Sequence, residues 1–426
     1  MAIESGRLRS IIGGSAGNLV EWYDFYAYSA LTIYFAPLFF PDADPTTQLA
    51  NAAAISAGGF LMRPVGGWLM GVYGDRYGRK AGLALSVALM CAGSLMIAFA
   101  PTAAQAGTAA PWVLLVARLL QGLSVGGEYG ASATYLSEMA TPERRGFYSS
   151  FQYVTLVGGQ LAALAVLILL QQTLGKAAID AWAWRLPFLL GAALALFVYR
   201  LRSRLAETPA FEAMARRGER GPSTLGALWR DNRRAFLLIV AITAGGSLAF
   251  YAYTTYLQKF LVNSAGYGKV AATNICAAAL FLFMLAQPAW GALSDRIGRK
   301  AVLLVFGVGG MIVTVPVFHA LGRGPAWPAA LALMMIPLLI IAAYTAVGAV
   351  VKAELFPAHI RTLGVALPYA IGNTLFGGTA EYIALWFKQA GHESGFFWYV
   401  TAMCGVALIA FLMLPETRNN GAIAED

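Results

Sequence analysis

The sequence predicts an all-α membrane protein of twelve spanning helices, arranged as two six-helix halves. Three observations carry this expectation. Apolar runs of spanning length recur along the whole chain, basic residues fall in alternate connections, and the second half repeats motifs of the first. Of 426 residues, 59% are hydrophobic and only 12% charged, where a soluble domain carries about 25% charged residues. The 46 glycines suit close helix packing in a bilayer better than they suit soluble helices.

A helix needs about 20 residues to cross the ~30 Å hydrocarbon core. The first run, 11–39, is too long and too acidic for a cleavable signal peptide, and it carries Asn18, Glu21, Asp24 and Tyr28. The second, 50–73, holds Arg63 near its middle, and 82–100 follows without a charge. The fourth, 112–137, carries Arg118 and Glu128; the fifth, 147–171, carries Gln152 and Gln160; the sixth, 184–200, is the shortest. Residues 1–200 thus form a first half, 201–234 a basic linker, and 235–426 a second half. That half has runs at 235–261 (with Tyr251, Tyr253 and Tyr256), 270–293, 301–320, 328–351, 362–387 (with Tyr369, Asn373 and Glu381) and 395–414.

The bases orient these runs. Arg76, Arg79 and Lys80, then Arg144 and Arg145, then Arg296, Arg299 and Lys300, then Arg361 lie in alternate connections, whereas 40–49 and 101–111 have no base. By the positive-inside rule both termini are cytoplasmic. The stretch 200–234 holds nine arginines and reads as a linker that lies against an anionic leaflet. The net charge of +9 is therefore a topology signal, and nucleic acid is not an expected partner. Cys91, Cys276 and Cys404 lie far apart inside apolar runs, and His319, His359 and His392 have no second ligand at metal spacing. Neither disulfide, metal nor cofactor is expected.

The halves echo one another in order. Gly71-Val-Tyr-Gly-Asp-Arg-Tyr-Gly-Arg-Lys80 follows the second run and Gly291-Ala-Leu-Ser-Asp-Arg-Ile-Gly-Arg-Lys300 the eighth, with Asp75 and Asp295 220 residues apart. Glu138, Pro142 and Arg145 after the fourth run match Glu354, Pro357 and Arg361 after the tenth. Glu207-Thr208 and Glu416-Thr417 close the halves. Such duplication suits carriers whose halves rock about a midplane site.

The repeated Gly-x-x-x-Asp-Arg-x-Gly-Arg-Lys motif resembles the signature of the major facilitator superfamily. Within it, Gly17-Asn-Leu-Val-Glu-Trp-Tyr-Asp-Phe-Tyr26, Gly59-Phe-Leu-Met-Arg-Pro-Val-Gly-Gly67 and Gly122-Leu-Ser-Val-Gly-Gly-Glu-Tyr-Gly130 resemble the metabolite:proton symporter family. That family carries organic acids and osmolytes such as α-ketoglutarate, citrate, shikimate, proline and betaine. Gly146-Phe-Tyr-Ser-Ser-Phe-Gln-Tyr-Val-Thr-Leu-Val-Gly-Gly-Gln160, Ala244-Gly-Gly-Ser-Leu-Ala-Phe-Tyr251 and Phe376-Gly-Gly-Thr-Ala-Glu-Tyr-Ile-Ala384 are most similar to its α-ketoglutarate carriers. The resemblance implies proton-coupled uptake of a small organic anion across a bacterial inner membrane by a monomer. Citrate or another organic acid is the alternative substrate, and an osmolyte a more distant one. A transporter-like sensor or a membrane enzyme lacks support, for want of an output domain or a nucleophile–base pair.

Charged side chains inside a span cost several kcal/mol and are functional hypotheses by default. Asp24 and Arg63 fall at similar depth, and Glu21 and Glu128 about one turn nearer the basic face. Mutual neutralisation for packing is one reading of this cluster. The other is that Arg63 and Arg118 meet two substrate carboxylates, because a guanidinium fork holds a carboxylate bidentately and stays charged at low dielectric. Asn18, Gln160, Tyr251, Tyr253, Tyr369 and Asn373 are further candidate contacts. Asp24 is the candidate proton-coupling acid, with Glu21 or Glu128 as relay. The resemblance adds that sugar:proton symporters pair an acid of the first span with an arginine of the fourth, the places of Asp24 and Arg118. Lys259, Lys352 and Lys388 lie near span ends and are expected to snorkel to the headgroups. Finally, Asp75, Arg76, Arg79, Glu138 and Arg145 form one candidate cytoplasmic latch, and Asp295, Arg296, Arg299, Glu354 and Arg361 its twin, capping helix ends.

Overall fold

The computed structural model describes residues 2–43, 45–217 and 223–424. Residues 218–222 of the expected linker and the last two residues of the chain lie outside them. Helices of spanning length follow one another as α1 (Ala2–Phe39), α2 (Pro45–Tyr77), α3 (Arg79–Ala98), α4 (Ala110–Met139), α5 (Phe151–Thr173) and α6 (Leu186–Ser203). The second half has α7 (Leu225–Tyr251, continued through Ala252–Tyr256 into Leu257–Asn263), α8 (Lys269–Ile297), α9 (Arg299–Leu321) and α10 (Trp327–Glu354). It closes with α11 (Arg361–Gly372, Asn373–Gly377 and Ala380–Gln389) and α12 (Glu393–Met413).

Nine of these are long and apolar enough to span a membrane by length and hydropathy among the described residues. The other three are α1, α2 and α11, and each has a physical reason. Asn18, Glu21 and Asp24 in α1, and Arg63 in α2, lower the hydropathy of those helices. A π-helical turn at Asn373–Gly377 and a break after it divide α11 into two shorter pieces. A second π turn, Ala252–Tyr256, interrupts α7. The sequence pattern predicts unbroken helices in both places. Single-turn π segments recur at functional sites, because they re-aim side chains without ending the helix.

The linker expectation needs correction. α7 begins at Leu225 rather than at 235, with a kink at Asn232 (φ −127°), so much of the basic segment is helical. Between the halves, a short helix Pro209–Arg217 packs Phe211 and Met214 against Ala358 at the start of α11.

Within the first half, α2 packs on α4, α1 on α5, and α3 on α4 and α6; within the second, α8 and α9 pack on α10, and α12 on α7 and α9. The halves meet through α2 and α4 against α11, and α5 against α8. Glycine sets the α2–α4 distance: a Cβ on Gly126 would stand 2.0 Å from the Arg63 carbonyl oxygen, so only a glycine lets these backbones approach. Outward-facing Leu61, Phe197 and Ile312 are 65–70% exposed and form part of the lipid face.

The repeated motif is explained residue by residue. Gly78 (φ 107°) joins α2 to α3, and Gly298 (φ 98°) joins α8 to α9, a left-handed backbone that glycine alone adopts without strain. Glu207 accepts the N–H groups of Arg79 (3.1 Å) and Lys80 (3.3 Å), and Glu416 those of Arg299 (2.9 Å) and Lys300 (3.1 Å). An acid at each helix N-terminus satisfies open donors and the macrodipole. The two echoes read from the sequence, Gly-Arg-Lys and Glu-Thr, are thus two sides of one contact.

Candidate functional site

The buried polar residues of α1, α2 and α4 converge on two adjoining narrow voids. Both are lined by Glu21, Arg63 and Val125. The first also touches Phe25, Phe60, Arg118 and Gln121; the second reaches the other half through Asn18, Tyr129, Tyr369 and Asn373.

Arg63 and Arg118 are each 3% exposed, and neither has a carboxylate within ion-pair distance among the described residues. The Arg63 guanidinium lies 3.7 Å from the centre of the Phe60 ring and 5.3 Å from that of Phe25, and its Nη1 has no hydrogen-bond acceptor among the described residues. Arg118 lies 4.3 Å from the Tyr28 ring centre. Its Nη1 donates to Gln121 Oε1 (2.8 Å) and its Nη2 to Ser56 Oγ (3.0 Å), while Nε has no acceptor among the described residues. Aromatic faces attract a cation but supply no net counter-charge. A buried cation without an anion is costly. Two such cations beside one void present positive charge that would attract an anion.

Asp24 is fully buried. Its Oδ2 accepts from Gln121 Nε2 (2.6 Å) and from Ser94 Oγ, while Oδ1 has no donor among the described residues. The expected Asp24–Arg118 pair is therefore bridged: Arg118 donates to Gln121, which donates to Asp24. Glu21 is buried and accepts a 3.4 Å bond from Ser124. Glu128 is differently placed. Arg202 grips both its oxygens, with Nη1 at 2.9 Å from Oε2 and Nη2 paired with Oε1, and Ser86 donates to it as well. The sequence pattern ends the sixth run at 200 and leaves Arg202 in the linker. One more helical turn would have placed it inside, where Gly17 leaves room for its guanidinium.

Other candidates divide. Asn18 Nδ2 ties α1 to α5 through the Gln152 carbonyl (2.5 Å) and Thr155 Oγ1 (3.0 Å). Gln160 Oε1 and Tyr251 OH are buried without partners among the described residues, but neither residue lines the two voids. Tyr253 points the other way and shares a hydrogen bond with Thr314 of α9. Tyr369 stacks on Tyr129 of the opposite half with ring centres 3.5 Å apart and planes 10° apart.

One of the lysines expected at the headgroups departs from that expectation. Lys352 is 1% exposed, inside a cage of Tyr129, Tyr344 and Tyr369. Its spacing of eight residues from Tyr344, about two turns, was the available signal. Lys259 is ion-paired with Glu381 across the two interrupted helices. Lys388 bonds the Asn263 carbonyl and Ser264 at the end of α7.

The helix ends on the face that carries the basic motifs are bound across the halves, with the arginines exchanged relative to expectation. Asp75 accepts the N–H groups of Thr362 and Leu363 at the start of α11, both at 3.0 Å. Arg79 pairs with Asp75 (3.1 Å) and Glu138 (3.2 Å), and Arg361, not Arg145, completes the group at 2.7 Å from Glu138. In the twin, Asp295 accepts Gly146 N–H (2.8 Å) and Phe147 N–H (2.9 Å) at the start of the fifth span. Arg299 pairs with Asp295 (2.7 Å) and lies 3.8 Å from Glu354, whose charge is also felt by Arg145. The crossing follows from the packing, since the pseudo-twofold axis sets the start of α11 against α2 and that of α5 against α8. Arg76 and Arg296 are exposed and lie outside both clusters.

Comparison with known proteins agrees with this architecture. The chain matches the family described as Sugar (and other) transporter over residues 11–227 and 215–423. It is 54% identical to the alpha-ketoglutarate permease of Escherichia coli K12, over 96% of this chain and 94% of the relative. It is 32% identical to a citrate-proton symporter of Salmonella typhi, over 97% and 96% respectively. Among solved structures, a proton:xylose symporter of the major facilitator superfamily, XylE bound to 6-bromo-6-deoxy-D-glucose, superposes with a TM-score of 0.78 at 17% identity, covering 99% of this chain and 98% of that one. The duplicated motif, the twelve spans and these matches together make the chain a transporter of the major facilitator superfamily, within the sugar (and other) transporter family.

Proposed function

We propose that this protein carries α-ketoglutarate into the cell together with protons, by alternating access, across a bacterial inner membrane with its basic face and both termini in the cytoplasm. The observation that carries the reading is the pair of buried guanidinium groups, Arg63 and Arg118, lining one void with Glu21 and with no carboxylate of the described residues within ion-pair distance of either. A dicarboxylate supplies the two missing charges, one to each arginine. A relative that is 54% identical over 96% of this chain has that acid in its name.

Asp24 takes the proton. A substrate carboxylate that draws Arg118 away from Gln121 frees Gln121 to rotate, and the Asp24 carboxylate then loses its 2.6 Å donor. A buried carboxylate deprived of hydrogen bonds holds a proton more readily, so anion binding at Arg118 and protonation of Asp24 favour one another. Glu21, facing both voids, is the second candidate. Glu128, gripped by Arg202, serves packing instead. The two clusters at the basic face close the cytoplasmic side and part when the loaded halves rock.

Counterflow of labelled α-ketoglutarate in proteoliposomes, with unlabelled organic acids as competitors, tests the reading. It expects α-ketoglutarate to compete best. Preference for citrate would reassign the substrate, and failure of every carboxylate to compete would overturn it.

A further inference from the structure

A lysine near a helix end ordinarily bends outward to reach headgroups and water. Lys352 stands two residues before Glu354, the last residue of α10, yet its side chain runs back along the helix into the protein. Its Nζ donates to Tyr129 OH (2.9 Å) and Tyr344 OH (3.4 Å), and lies 4.5 Å from the Tyr369 ring centre. No carboxylate of the described residues is within ion-pair distance of it. Three aromatic faces attract the ammonium, but an ion pair would compensate its burial far better.

The cage belongs to both halves. Tyr129 comes from α4, whereas Tyr344, Lys352 and Tyr369 come from α10 and α11. Tyr129 and Tyr369, stacked on one another, both line the second void; Lys352 touches both rings and does not line it. The stack therefore separates the Arg63 site from the lysine. Any rocking of the halves that parts the rings withdraws Tyr129 from Nζ and opens a route between the two cations.

We propose that Lys352 is a release-side carboxylate site: once the Tyr129–Tyr369 stack parts, its ammonium receives one carboxylate of the dicarboxylate leaving the arginine site. This rests on the dicarboxylate reading above. The anion moves between fixed cations in two short steps, and the stacked phenols are the gate between them.

The test measures the KM for α-ketoglutarate from each face of oriented proteoliposomes at zero gradient. Removing a charge-assisted contact weakens binding by about tenfold or more. In Lys352→Met, KM from the basic face should rise by that factor and KM from the opposite face should stay within about twofold, while Lys352→Arg restores most of the loss. An equal change at both faces, or none at either, overturns the proposal, because a lysine that only held the tyrosines together would affect both alike. Should the methionine variant not reach the membrane, Lys352→Gln is read the same way; it keeps a donor for Tyr129 and lacks the charge. Wild-type counterflow reports separately on the dicarboxylate reading. Its absence with every carboxylate overturns both, and normal counterflow with a symmetric KM change overturns this inference alone.

Discussion

Replacing Arg63 by glutamine should separate substrate binding from folding. Arg63 makes no ion pair within 4 Å with the described residues, so its loss breaks no direct salt bridge, although Glu21 beside it loses a nearby positive charge. What folding loses is its stacking on Phe60 at 3.7 Å, a cation–π contact of about 0.5–2 kcal/mol, offset by relief from burying an uncompensated charge. The unliganded variant should therefore melt within about 3 °C of wild type. Binding loses much more. Removing one partner of a desolvated charge pair costs about 2–5 kcal/mol, a rise in Kd of roughly 30- to 5000-fold. The assay is a melting curve of purified protein with and without α-ketoglutarate, alongside equilibrium binding. Wild type should be stabilised by the ligand and Arg63→Gln should not. Binding within twofold of wild type, or a large loss of stability without ligand, would refute the reasoning and make Arg63 a packing residue.

Glu128→Gln should act oppositely, destabilising the protein by about 3–5 kcal/mol because it leaves Arg202 buried without its anion, while the folded fraction retains wild-type KM; a KM change without loss of stability would return Glu128 to the transport site. Asp75→Asn weakens charge-assisted bonds to Arg79 and to the N-terminus of α11, each about 1.5–3 kcal/mol, and should raise thiol labelling of an Ala366→Cys probe at the α4–α11 contact from the basic face. Unchanged labelling would remove Asp75 from the latch. A reporter fused after Asp426 should be active only as a cytoplasmic marker, and periplasmic activity would contradict both the orientation and an even number of spans.

Much of the fold was legible because a bilayer enforces it. Apolar runs of fixed length and alternating basic connections leave few arrangements, and the Asp-Arg-x-Gly-Arg-Lys repeat located the joins at Gly78 and Gly298. The acids and arginines of α1, α2 and α4 stood out for the same reason, since a charge inside a span is rare. What stayed hidden depends on where side chains point. Nothing in the local sequence says that Gln121 bridges Arg118 and Asp24, or that Arg361 rather than Arg145 meets Glu138; both follow from contacts between helices distant in sequence. Lys352 was misread because proximity to a helix end says nothing of the direction a flexible stem takes. The π turns in α7 and α11 escaped notice because Tyr251–Tyr256 and Asn373–Gly377 are compatible with an ordinary helix.

If anion transport is tied to proton movement through Asp24, internal pH recorded during α-ketoglutarate uptake into proteoliposomes will show it. Wild type should acidify the lumen as the substrate arrives. Asp24→Asn, which mimics the protonated acid, should exchange internal for external α-ketoglutarate yet neither acidify the lumen nor accumulate the acid against a gradient. Acidification and pH-driven accumulation by Asp24→Asn at the wild-type level would contradict the account and move the coupling site to Glu21.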